Sequence, residues 1–276
     1  MLLRSVAVFV ALSIAAAAGV AAEPRAPTAK WNVNFGDAQC IAHRDYGTSA
    51  KPLRLVLKAP PVGDVMQVAV MQEAGTSHAQ QVDSFVTIDG RRPLKTNLLM
   101  YTPKGSKERI YLVNMPSADF ASVRQAKTLS VRSEGLNETF ALSEMEPLLK
   151  VVDDCVADLR RVFNIGATGT DPVGLTSRAR TNLAKLFSDA DYPAAAVMKG
   201  QSGRVRFALL IGEDGRVADC TIVATSGVPS LDSQACALLK TRAKFEPARD
   251  HEGKPAKDSV VGAIVWRVSS KGAVRR

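Results

Sequence analysis

Four cysteines, Cys40, Cys155, Cys220 and Cys236, follow an N-terminal run that carries no charge from Ser5 to Val20. Together these two features limit the chain more than anything else in it. Met1 to Arg4 form a short positive segment, the run holds Val6, Val8, Phe9, Val10, Leu12 and Ile14, and Val20-Ala21-Ala22 sets small residues ahead of Glu23. That is the pattern of a secretory signal cut after Ala22, so residues 1–22 are expected to be a signal peptide. The alternative is an uncleaved membrane anchor, but Ser5 to Ala22 is 18 residues with an Ala-rich second half, at the short limit for a span. In both readings the remainder folds outside the cytoplasm, where thiols pair.

Three pairings of four cysteines exist in principle. The stretch from Gly166 to Gly174, GATGTDPVG, reads as a linker, and two cysteines fall on each side of it. Pairing within each side, Cys40 with Cys155 and Cys220 with Cys236, is therefore expected. The implied organisation is a β-rich domain over 31–163, a linker over 164–177 and a second domain over 178–276. With 46% apolar residues in 276, the chain can bury real cores, and disordered and collagen-like classes drop out.

The formal charge of +9 is unevenly placed. Residues 31–163 hold 16 Lys and Arg against 15 Asp and Glu, whereas 178–276 hold 17 against 10. A basic module of this kind attracts acidic partners. Aromatic residues are only 5% and no nucleic-acid motif is present, so nucleic acid is not expected.

In the first domain, Trp31 to Phe35, Leu53 to Leu57, Val65 to Met71, Ser84 to Ile88, Asn97 to Tyr101 and Arg109 to Val113 alternate as short strands of an antiparallel sandwich or barrel. Ser117 to Lys127 reads as a short helix, Thr128 to Leu142 as a hairpin, and Leu148 to Val162 as an amphipathic helix placing Cys155 near Cys40. His43-Arg44-Asp45 reads as a solvated loop and Asp153-Asp154 as a wet helix face. No nucleophile elbow, phosphate-cradling loop or metal-spaced cluster occurs, and His43, His78 and His251 are scattered, so neither enzyme activity, a cofactor nor a metal site is expected.

The second domain reads as α+β, two helices on a three-stranded antiparallel sheet. Arg178 to Phe187 is expected to be an amphipathic helix. Tyr192-Pro193 opens a second, Ala-rich helix ending at Gly200. Val205 to Ile211 and Val217 to Ala224 are strands around the turn Glu213-Asp214-Gly215. Leu231 to Arg242 is a helix capped by Ser230, and Val260 to Val268 is the last strand.

Residues 192–268 resemble the C-terminal domain of the TonB energy-transducer family. The resemblance lies in the order of Tyr192-Pro193, Gly203-x-Val205, Asp214-Gly215-x-Val217, Ser226-Gly227, Leu231-Asp232 and Ala235. It continues through Phe245-Glu246-Pro247-Ala248-Arg249-Asp250, Gly253-Lys254-Pro255 and a terminal strand with Trp266. It implies a periplasmic domain that grips an extended segment of an outer-membrane TonB-dependent receptor, in TonB-dependent transport. The grip would be strand addition along Val260 to Val268, the last strand of the sheet. Val260, Val261, Ala263, Ile264, Val265 and Trp266 would then be partner-binding residues, with Tyr192 and Pro193 corresponding to a region the family uses near the receptor plug. Trp266 is also expected to serve the core. The family's membrane helix bears a His, absent here between Met1 and Ala22, and its Pro-rich spacer is replaced by a folded domain. An alternative function is a structural envelope protein that binds peptidoglycan or another envelope protein without transducing energy. A free edge strand also permits a homodimer.

Overall fold

Period-two alternation dominates residues 32–141, and it produces one sheet. The computed structural model describes residues 23–75, 79–103, 105–166, 172–268 and 274–275; residues 1–22, the expected signal peptide, lie outside them. Nine antiparallel strands follow: β1 (Asn32–Gly36), β2 (Gln39–Asp45), β3 (Leu53–Ala59), β4 (Val65–Glu73), β5 (Gln80–Ile88), β6 (Leu94–Tyr101), β7 (Glu108–Pro116), β8 (Thr128–Ser133) and β9 (Leu136–Ala141). Their spatial order is β1-β2-β3-β4-β7-β6-β5-β8-β9. The inward residues, among them Leu55, Leu57, Val68, Leu98, Tyr111 and Phe140, form one core. Residues 25–28 tie the two ends of the sheet. The Arg25 N–H donates to Thr139 O, the Ala141 N–H to Arg25 O, and the Thr28 N–H to Asp45 O.

Helix α1 (Ser117–Phe120) runs into a 3-10 turn at Ala121–Gln125, shorter than the single helix expected to Lys127. Helix α2 (Met145–Val162) closes this half and sends Leu148, Leu149 and Val152 into the core. Asp153 and Asp154 are on its exposed side, paired with Arg124 and Lys150.

The solvated loop expected around His43 is instead strand β2. Its inward positions are Cys40, Ala42 and Arg44. Arg44 is buried because its guanidinium donates to Ala29 O and to Ser143 O and Oγ while lying over the Trp31 ring. Burial first, and the nearby Arg54 second, hold the His43 imidazole below its ordinary pKa.

The second half contains α3 (Ala194–Met198), β10 (Gly203–Ile211), β11 (Val217–Ala224), α4 (Pro229–Arg242), β12 (Ala248–Arg249), β13 (Pro255–Ala256), β14 (Asp258–Val268) and β15 (Val274–Arg275). Its main sheet runs β11-β10-β14-β15, so the three expected strands gain a fourth of two residues. At the β10–β11 turn, Gly215 has φ +76°, and a Cβ there would sit 2.0 Å from Phe245 O. Ser230 does not cap α4. Pro229 occupies the first turn and Val228 precedes it, while Asp232 turns back to accept from the Ser226 N–H and the Thr225 hydroxyl.

Arg178 to Phe187 is not the expected helix. The segment is extended apart from a 3-10 turn at Leu183–Lys185, because its polar groups have partners elsewhere in the fold. Arg180 exchanges backbone bonds with Glu246, and the Ala179 N–H and Arg178 Nε donate to the fully buried Asp258 carboxylate.

Both disulfides are formed as expected, Cys40–Cys155 and Cys220–Cys236. The first lies in a layer where Leu159, Phe163 and Ile165 meet Ala208 and Leu210 of β10. By joining β2 to α2 beside this layer, it steadies the surface on which the second sheet rests. The stretch expected as a linker is anchored on both sides. The Val173 N–H donates to Asn164 O, and Asn164 Nδ2 donates to Lys257 O at 2.8 Å; residues 167–171 lie outside the described ones.

Candidate functional site

Strand β14, DSVVGAIVWRV, separates its two faces by parity. Val261, Ala263 and Val265 are exposed, whereas Val260, Gly262 and Ile264 are half-buried and Trp266 is buried. Backbone direction also alternates along a strand, since a residue's N–H and C=O point to the same edge and the next residue's to the other. The Val268 N–H donates to Ser202 Oγ on the β10 side, and Ser259 O accepts from Arg178 on the opposite side. Odd-numbered residues therefore present their N–H and C=O to the edge away from β10. Along that edge β15 pairs only Arg267 and Val268, and Arg178 covers only the start. Among the described residues, nothing pairs with Val261, Ala263 and Val265, which hold an open stretch between them.

The other edge of this sheet is occupied. Asn114 Nδ2 of β7 donates to Ile222 O of β11 at 3.4 Å, and Lys58 Nζ of β3 bonds Asp219 Oδ2 at 3.0 Å. The nine-stranded half thus covers the β11 edge and leaves β14 uncovered.

Beside the open edge lies a groove of about 250 Å³ between Ala263–Trp266 and the 183–192 segment. Leu183, Phe187 and Tyr192 give it apolar walls. Trp266 forms its base, with edge-to-face contacts to Tyr192 at 5.3 Å and Phe187 at 5.9 Å. The indole Nε1 is buried and finds no acceptor among the described residues. The Tyr192 hydroxyl donates to Gln201 O, which locks the ring. The wall is held at Asp191, whose carboxylate accepts from Arg242 and from the Ser188 N–H and hydroxyl. The Arg242 hydrogen bond is the main cause that lowers the Asp191 pKa to about 2.

Of the residues singled out from sequence, Val261, Ala263 and Val265 are on the open edge, and Tyr192, Ile264 and Trp266 line the groove from within. Val260 packs into the core beneath the sheet. Pro193 stands half-buried ahead of α3, outside the groove lining. Sequence reasoning missed Leu183 and Phe187 as groove walls. Their apolar spacing reads as the buried stripe of a helix.

No helix among the described residues is long and apolar enough to cross a membrane. Among those residues no group of three or more His, Cys, Asp and Glu is placed to hold a metal ion. Residues 188–268 match the family model for the Gram-negative bacterial TonB protein C-terminal. That span takes in α3, β10, β11, α4 and β14 and leaves the nine-stranded half outside. No curated protein matches the chain.

Proposed function

We propose that this is a periplasmic binding protein whose β14 edge captures an extended segment of an outer-membrane receptor by strand addition, in TonB-dependent transport. The observation that carries this reading is the stretch of the β14 edge left open among the described residues, flanked by an apolar groove inside the TonB-matched span. Backbone groups of Val261, Ala263 and Val265 supply donors and acceptors to any extended chain, which gives affinity without demanding a particular sequence. Selectivity comes from alternate side chains of the captured segment, one set meeting the groove above Trp266 and the other the exposed face beside Arg204 and Arg206. The nine-stranded half acts as a rigid seat that blocks competing pairing at β11.

Its work in this reading is recognition. Titration of isotope-labelled protein with a peptide from the periplasm-facing N-terminal segment of such a receptor tests the reading. Saturable amide shifts along 260–266 and at Leu183 to Tyr192 are expected. A peptide that leaves those signals unchanged, or shifts only the nine-stranded half, contradicts it.

A further inference from the structure

A second concave site lies between the halves, away from the β14 edge. It is a cleft of about 670 Å³ whose floor is the outer face of β4, β5, β6 and β7 and whose far wall is β11 and α4. Its volume lies within the ~300–1,000 Å³ range of small-molecule sites.

The chemistry of its lining is narrow. Among the described residues no Lys, Arg or His faces it, so these offer nothing to neutralise a phosphate or carboxylate. Its one carboxylate, Asp232, is already committed to the Thr225 hydroxyl and the Ser226 N–H. What remains is neutral: side-chain amides of Gln67, Gln81, Asn97 and Asn114, and the hydroxyl of Tyr101, set among Leu99, Leu112 and Ile222. Gln67 and Asn114 hold each other at 3.0 Å, which fixes their orientation. Gln81 is different. Its Oε1 is buried with no hydrogen-bond donor among the described residues, an arrangement that costs free energy until a donor arrives.

A peptide suits this cleft poorly. The floor strands are interior to the sheet with both edges paired, and Ile222 O on the nearby β11 edge is already taken by Asn114. An extended chain would find no ladder to satisfy its own backbone groups. A sugar carries hydroxyl donors around its rim and C–H faces above and below, which match separated amides interspersed with a phenol ring and small apolar patches. We infer that the cleft between the two halves binds a short neutral oligosaccharide, with Gln81 accepting a ligand hydroxyl and Asn97 and Tyr101 flanking it. Such a ligand touches both halves and bridges them, and its recognition does not depend on the basic surface of the second half.

The test is titration of the purified protein with the β-1,4-linked trimer of N-acetylglucosamine and with cellotriose, followed by backbone and side-chain amide signals. An acetylated and amidated Gly/Ala tripeptide and inorganic pyrophosphate serve as the peptide and anion probes. Saturable shifts at Gln81, Asn97 and Thr225 to Ser233 are expected with at least one sugar. Gln81→Met, which retains the side chain's length without its amide oxygen, is expected to weaken that sugar by about fivefold or more. Asn97→Trp, at an exposed position, is expected to block the cleft without lowering the melting temperature. Absence of saturable shifts with both sugars overturns the inference. So does equal binding of the tripeptide or pyrophosphate, or undiminished sugar binding by Asn97→Trp.

Discussion

Proline placed at adjacent positions of β14 separates edge function from sheet integrity. Ala263 directs its N–H to the open edge, and Ile264 directs its own toward Val205 of β10, its register partner. Proline removes the donor in each case. At Ala263 the lost donor has no acceptor among the described residues, and edge positions tolerate proline where the N–H faces solvent. Ala263→Pro should therefore fold. A bound segment would lose one backbone bond and leave a carbonyl facing the ring, at a cost of about 1–3 kcal/mol, or about 5- to 150-fold in affinity. Ile264→Pro removes a ladder hydrogen bond to β10 and leaves its acceptor unpaired inside the sheet, so about 1–3 kcal/mol of stability should be lost. Calorimetric titration with the receptor peptide, beside denaturant unfolding of both variants, reads the two effects. Ala263→Pro that binds like the unsubstituted protein, or that unfolds as readily as Ile264→Pro, refutes the parity argument.

Three further outcomes follow from the same structure. The disulfides close loops of separation 115 and 16, so chain entropy assigns about 4.7 kcal/mol to Cys40–Cys155 and about 3 kcal/mol to Cys220–Cys236. Paired Cys→Ser variants in equilibrium unfolding should keep that order, and the reverse order would contradict it. Asp191 is held near a pKa of about 2, below its usual 3.8, chiefly by Arg242, so its contribution to stability is present above pH 4 and fades as pH falls toward 2. In Arg242→Gln the Asp191 carboxyl titration, followed by NMR, should move up toward 3.8; an unmoved titration would remove Arg242 as its cause. Gly262→Ala would set a Cβ 2.6 Å from Phe207 Cζ, in a ring that is fully buried and cannot retreat, so about 1–3 kcal/mol should be lost in thermal unfolding.

The parts of the fold written as local patterns were legible in the sequence. Alternation in Leu53 to Leu57 marks its strand because every second position is buried, whereas Val205 to Ile211 reads as a strand from its short apolar run, which is buried on both faces from Phe207 onward. Strand β2 escaped because one of its inward positions is Arg44, whose burial depends on Ala29, Ser143 and Trp31, residues distant in sequence. The 178–187 segment misled in the opposite direction. Its apolar spacing fits a helix, yet the buried Asp258 draws Arg178 and the Ala179 N–H into an extended path, and nothing local announces that partner. The edge itself was legible from the position of β14 as last long strand. Its groove was not, since Leu183 and Phe187 face Trp266 only because the segment is extended. The cleft between the halves arises from outward residues of two sheets meeting, which no single stretch encodes.

Amide hydrogen exchange along β14, with and without a saturating receptor peptide, reads the capture edge residue by residue. Strand addition predicts new protection at Val261, Ala263 and Val265, with little change at Val260, Gly262 and Ile264, which β10 already protects. Unchanged exchange at Val261, Ala263 and Val265 in the presence of bound peptide would contradict it and move the binding site off this edge.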